Sequence, residues 1–204
     1  MKPRVKYSIA AIVVIASLAG VAKMAIDEIK LAASAYLYGY PLVIMEETRK
    51  GMFSSGGTNQ LKHRQDFPDS DFRLVVRPNV DTLYSSAWFD LTQGPMIVSM
   101  PATDERYYVL PFMDAWTNVF ERIGTSTTGN EAQEIAVVGP DFKGELPTGI
   151  DSVVTSPTNM VWMIGRIQSN SKADVANVAK IQANMALTPL TYWQAGELVS
   201  VIKV

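Results

Sequence analysis

Residues 77–90, RPNVDTLYSSAWFD, decide how the chain is read. From Thr82 onward the residues alternate. Leu83, Ser85, Ala87, Phe89 and Leu91 share one face, and Thr82, Tyr84, Ser86, Trp88 and Asp90 share the other. That period of two is the mark of a β-strand with one face toward a core. Asn79 and Asp81 precede the strand, where their side chains can bond their own backbone and set a corner. Arg77 can pair with Asp81 or Asp90. Polar groups this dense beside aromatics admit two readings. One is a hydrogen-bonded structural corner. The other is a site for a carbohydrate or small polar ligand, held by Arg77, Asn79 and Thr82 and stacked on Tyr84 or Trp88.

Working outward, the same strand pattern recurs. Residues 73–77, 96–100, 107–116, 118–125, 134–138, 152–156 and 160–168 are β-type runs, punctuated by Gly94–Pro95, Gly139–Pro140, Pro147 and Pro157. Strands at this spacing without helices between them predict an antiparallel β-sandwich of jelly-roll type. Helices flank it. Residues 24–49 carry an apolar stripe of Ile26, Ile29, Ala33, Tyr36, Leu37, Tyr40 and Ile44, with a break expected at Gly39–Tyr40 because Pro41 suits the first turn of a second helix. Residues 171–188 predict one C-terminal helix, opened by a capping box of Ser171 with Asp174 and ended by Pro189. Residues 51–70 read as loop, with His63 solvated within it.

The chain has 204 residues, enough for one ordinary domain, with 48% hydrophobic and 19% charged residues. The net charge is −2 and basic residues do not cluster beyond the start, which excludes a nucleic-acid surface. There is no cysteine and one histidine, so disulfides, thiolate chemistry and multi-His metal sites are excluded within one chain. No metal site and no cofactor is expected. Lys2, Arg4 and Lys6 precede an uncharged run over residues 7–22. A basic start before a short apolar run is the pattern of an export signal, with small residues placed for cleavage after Ala19 or Ala22. The alternative is an inner-membrane anchor formed by residues 7–22, the chain's one expected membrane contact. Residues 1–22 are thus assigned to targeting and residues 23–204 to a single globular domain in the periplasm or cell envelope. Loss of the signal would remove three basic residues and leave a net charge of −5.

With these segments in order, the chain resembles a bacterial family, that of domain of unknown function 1254. The resemblance is carried by AYLYGYPLVIMEE (35–47), the core NVDTLYSSAWFDL (79–91) within residues 77–101, YYVLPFMDAWTNVFERIGTSTTG (107–129), GPDFKGELPTG (139–149) and SPTNMVWMIGRI (156–167). It implies an exported protein whose relatives often carry a second domain, that of unknown function 1214. It also implies a jelly-roll fold with an architectural likeness to peptide-N-glycosidase F. A fold-level likeness carries no reaction.

A second polar-aromatic cluster comprises Asp114, Trp116, Asn118, Glu121 and Arg122. Asn118 joins the ligand-binding candidates. If the two clusters neighbour each other, Asp81 and Asp114 become paired carboxylates at the separation of a glycosidase, ~5–9.5 Å. Residues 124–129, GTSTTG, lack the lysine of a phosphate loop and predict a turn. Two functions follow. The first is a non-catalytic binding or assembly module that works with a companion domain. The second is a hydrolase of glycans or amide-linked sugars using Asp81 and Asp114.

Overall fold

A computed structural model of the chain describes residues 3–52, 57–69, 71–73, 76–194 and 196, with side chains from residue 13 onward. Residues 74 and 75 of the expected short strand at 73–77 lie outside the described residues, as does most of the closing stretch after Gln194. The chain divides into two compact units, residues 1–44 and 45–204.

The first unit is most of helix α1, Pro3–Met52. The expected break at Gly39–Tyr40 is absent, and Pro41 sits inside the helix. A proline there removes one i→i−4 bond at a cost of ~3 kcal/mol. Helix-forming Leu, Ala, Met, Glu and Lys on both sides carry the helix through it. The stripe residues Ile26, Ile29, Tyr36, Leu37, Tyr40 and Ile44 are exposed. Among the described residues no helix is long and apolar enough to cross a membrane.

The second unit is mainly β and sandwich-like. Its strands are β1 (Gln60–His63), β2 (Thr82–Asp90), β3 (Met96–Met100), β4 (Tyr108–Met113), β5 (Val119–Gly124), β6 (Gln133–Val138), β7 (Ser152–Thr155), β8 (Met160–Gln168) and β9 (Ala186–Pro189). A five-stranded sheet runs β1-β2-β8-β4-β5 and a four-stranded sheet runs β7-β6-β3-β9. All pairs are antiparallel except β6 with β7, which is parallel, a departure from the purely antiparallel expectation. One apolar cluster joins Leu83, Phe89, Leu110, Phe112 and Ile167 of the first sheet to Val98, Met100, Ile135 and Val137 of the second. The strict alternation of β4 and β8 produces that shared interior.

Two elements were not expected. β1 lies in a stretch read as loop, and its partner is β2. The expected helix over residues 171–188 stops early. A 3-10 turn at Lys172–Asp174 leads into α2, Val175–Ala183, and β9 follows, paired with β3. The capping box does not form. Ser171 makes no side-chain cap bond, and the Asp174 carboxylate turns to Arg106 and the Asn170 amide instead. Helix α3, Leu190–Gln194, follows β9 directly.

Candidate functional site

The segment before β2 is an Asx turn. Asn79 Oδ1 accepts from the backbone amides of Asp81 at 2.9 Å and Thr82 at 3.1 Å. Its Nδ2 donates to Thr82 Oγ1 and to the Tyr84 hydroxyl, the latter at 3.2 Å. Thr82 and Tyr84 lie on one face of β2, so a single asparagine ties the corner to the strand. Opposite Tyr84 in the register stands Arg166, whose guanidinium lies 5.4 Å from the ring centroid. Arg166 therefore finds an aromatic face and solvent, and among the described residues no carboxylate pairs with it. Arg77 and Asp81 are exposed. Among the described residues no ion pair joins Arg77 to Asp81 or Asp90. What holds Asp81 in place is its backbone, whose carbonyl accepts from the Ser169 amide at 2.8 Å. Asp90 caps the next turn through Thr92.

Trp88 faces away from the sheet interior yet is only 1% exposed. Its ring stacks on Trp162, directly opposite on β8, at 4.8 Å and 7°. Met45, near the end of α1, packs on the same cluster with Met113 and Met160. Trp162 Nε1 donates to Ser86 Oγ, which donates on to the Met163 carbonyl. Trp88 therefore offers no free ring face to a ligand, which corrects its assignment as a stacking platform.

Asp114 serves the β4–β5 hairpin. One carboxylate oxygen accepts from the amides of Trp116 and Asn118, both at 2.9 Å, and the other accepts from Asn118 Nδ2 at 3.0 Å. Thr117, between them, has a positive φ of 70°, which explains why the hairpin needs this internal staple. Asn118 is exposed, with its amide committed to Asp114. GTSTTG forms the expected turn, closed by the Thr127 and Thr128 amides on the Gly124 carbonyl.

The structure does not bring Asp81 and Asp114 together. Asp81 lies opposite Ser169 at one end of β8, and Asp114 follows Met113, which lies opposite Trp162 near the other end. Eight residues of β8 separate those positions, roughly 27 Å at about 3.4 Å per residue. Paired glycosidase carboxyls need less than about 10 Å. The paired-carboxylate site is therefore not formed.

Two polar clusters lie where none was expected. His63, on β1, turns inward and places Nδ1 2.9 Å from Ser85 Oγ. Gln182 of α2 donates to Ser85 Oγ, at 3.3 Å, and to the Tyr84 carbonyl, at 3.0 Å. Burial holds the imidazole neutral by pushing His63 down to about 4. Ser85 and Gln182 are both 0% exposed, so this His–Ser pair is closed to any substrate. The inward side of Ser85 was visible in the alternation of β2; the approach of residues 63 and 182 was not. The second cluster is a bidentate pair of Arg106 with Asp174, at 2.6 and 3.0 Å. The Arg106 guanidinium, the Asn170 amide and the Asn177 side chain hold the Asp174 carboxyl well below the usual carboxylate range. Among the described residues no three His, Asp or Glu side chains converge on a metal-sized site.

No curated protein sequence matches the chain. The fold is similar to the crystal structure of the VPA0106 protein from Vibrio parahaemolyticus, with a TM-score of 0.70 and 22% identity over 86% of this chain. The chain spans 42% of that protein, less than half its length. The family model for proteins of unknown function DUF1254 matches residues 58–189, the stretch from β1 to the end of β9, and the chain belongs to that family.

Proposed function

We propose that the domain is a non-catalytic assembly module of the cell envelope, exported by residues 1–22, that works against a companion domain of the unknown-function 1214 type. One observation carries the reading: most of the candidate site residues are committed to turns and packing, and the two candidate carboxylates do not converge. Asn79 and Asp114 close turns, Trp88 is buried in a stack, and the strand positions of Asp81 and Asp114 lie roughly 27 Å apart along β8. A hydrolytic site needs polar groups that converge on an accessible cavity with free valences. The companion is supported by proportion, since this fold occupies 42% of the VPA0106 chain.

The test is recovery of the full chain from the envelope fraction after cross-linking, with partners identified by mass spectrometry. The expected partner bears the companion domain, and the chain's new N-terminus follows Ala19 or Ala22. A chain recovered alone as a monomer, or one that releases sugar from envelope glycans, would overturn the reading.

A further inference from the structure

A depression of about 340 Å³ opens at one end of the sandwich, away from the Asn79 corner. That size lies within the ~300–1,000 Å³ of small-molecule sites. Three connections converge on it: the turn between β2 and β3, the loop after β6 and the turn before β8. They supply Thr92, Gly94 and Pro95, then Asp141 and Phe142, then Asn159. Leu91 and Gly139 complete the lining, and both are buried. Loops gathered at one end of a rigid sandwich are where such folds place recognition groups.

Two contacts tie these connections together. The Leu91 amide donates to the Asn159 carbonyl at 2.9 Å, which ties the first turn to the third. A Cβ on Gly139 would lie 2.7 Å from Asn159 Oδ1, so the asparagine amide reaches over the loop because residue 139 has no side chain. Thr92 Oγ1 is engaged with Asp90 and Gln93. The Asp141 carboxylate and the Asn159 side-chain amide are different. Both residues are exposed, and neither side chain makes a hydrogen bond among the described residues. The Phe142 ring lies against Gly144, where a Cβ would meet its edge at 2.8 Å.

We propose that this depression binds a single neutral pyranose ring. The chemistry of the lining selects the class. A carboxylate accepts from vicinal hydroxyls, an amide both donates and accepts, and the phenyl ring and Pro95 offer an apolar surface to the C–H face of a sugar. Among the described residues no cationic side chain lines the depression, so a phosphate or uronate would meet Asp141 without compensation. The site is separate from the companion-domain reading and stands or falls independently of it.

The experiment is an amide-resonance titration of the full chain with D-glucose and N-acetyl-D-glucosamine, and with D-glucuronate as the anionic control. Shifts should concentrate at Thr92, Gly94, Asp141, Phe142 and the Asn159 side chain, with the glucuronate response weakest. Asp141→Asn and Asn159→Ala should each weaken binding roughly tenfold with unchanged melting temperature, the loss of about one hydrogen bond. Gly139→Ala should weaken it as well, by displacing Asn159. No shifts with either neutral sugar, shifts indifferent to these substitutions, or glucuronate binding as well as glucose would overturn the proposal.

Discussion

Arg106 and Asp174 meet through two bonds, 2.6 and 3.0 Å long, and so join the loop before β4 to the entry of α2. The same guanidinium donates to the Gln168 carbonyl at the end of β8, so three segments depend on one side chain. Both partners are largely buried, with side-chain exposures of 18% and 13%.

Arg106→Ala should therefore destabilise the domain by about 2–3 kcal/mol, since it leaves a hydrogen-bonded carboxylate without its cation. Asp174→Asn should cost less. The acid dependence has a definite sign. A carboxyl whose folded pKa is depressed stabilises the fold fully above its unfolded value, and that contribution fades as pH falls below about 4. Melting curves of the wild type and Asp174→Asn should converge below that pH and separate above it.

His63 acts in a different window. Its folded value is pushed down to about 4 by burial, so the unfolded chain binds the proton first. The contribution is complete above the unfolded value of ~6.5 and is lost as pH falls from there toward 4, a change of about 2–3 kcal/mol. His63→Gln can keep the bond to Ser85 while removing the titration. Stability of the variant measured between pH 4 and pH 7 should be nearly flat, while the wild type rises with pH.

The Asn79 corner separates backbone work from side-chain work. Asn79→Ala removes the acceptor for two backbone amides and should cost roughly 1–2 kcal/mol. Asp81→Ala should fall within about ±0.5 kcal/mol, because among the described residues only its backbone is engaged in the fold. Denaturant midpoints of the two variants measure the difference directly. A large loss at Asp81 would show that its carboxylate has a structural partner.

The strands of the sandwich were legible where an apolar run is bounded by turn residues or alternates in burial. Met96–Met100 and Met160–Gln168 have the bounds their patterns predict. β1 was not legible, because QLKH has one apolar residue and its strand form comes from pairing with β2. Ala186–Thr188 fall within the expected helix because propensity in a short segment is weak, and the pairing with β3 overrides it. The candidate site misled for a chemical reason. Asn, Asp, Thr and Trp are the residues of turns and buried stacks as well as of binding sites, and only geometry separates the two uses. The meeting of His63, Ser85 and Gln182 spans three distant segments, and no local pattern encodes it.

Among the described glycines, Gly124 has the least room for a side chain. It ends β5 with a positive φ of 158°, and a Cβ there would lie 2.4 Å from the Tyr108 carbonyl oxygen and 2.9 Å from Val109 Cα. Both obstacles are backbone of the neighbouring strand β4, so relief requires the β4–β5 hairpin to open. Gly165 presents a softer case. Its Cβ would meet the Leu110 side chain at 2.7 Å, which can rotate, and the Ser85 carbonyl at 2.9 Å. Gly124→Ala should cost about 2–4 kcal/mol and Gly165→Ala about 1–3 kcal/mol. Because Tyr108 is fully buried and its hydroxyl accepts from Gln133 of the opposite sheet, opening the hairpin would also loosen the contact between sheets. Hydrogen exchange should thus quicken at β4 and β6 together in Gly124→Ala, whereas faster exchange confined to β5 would show that the hairpin moves alone.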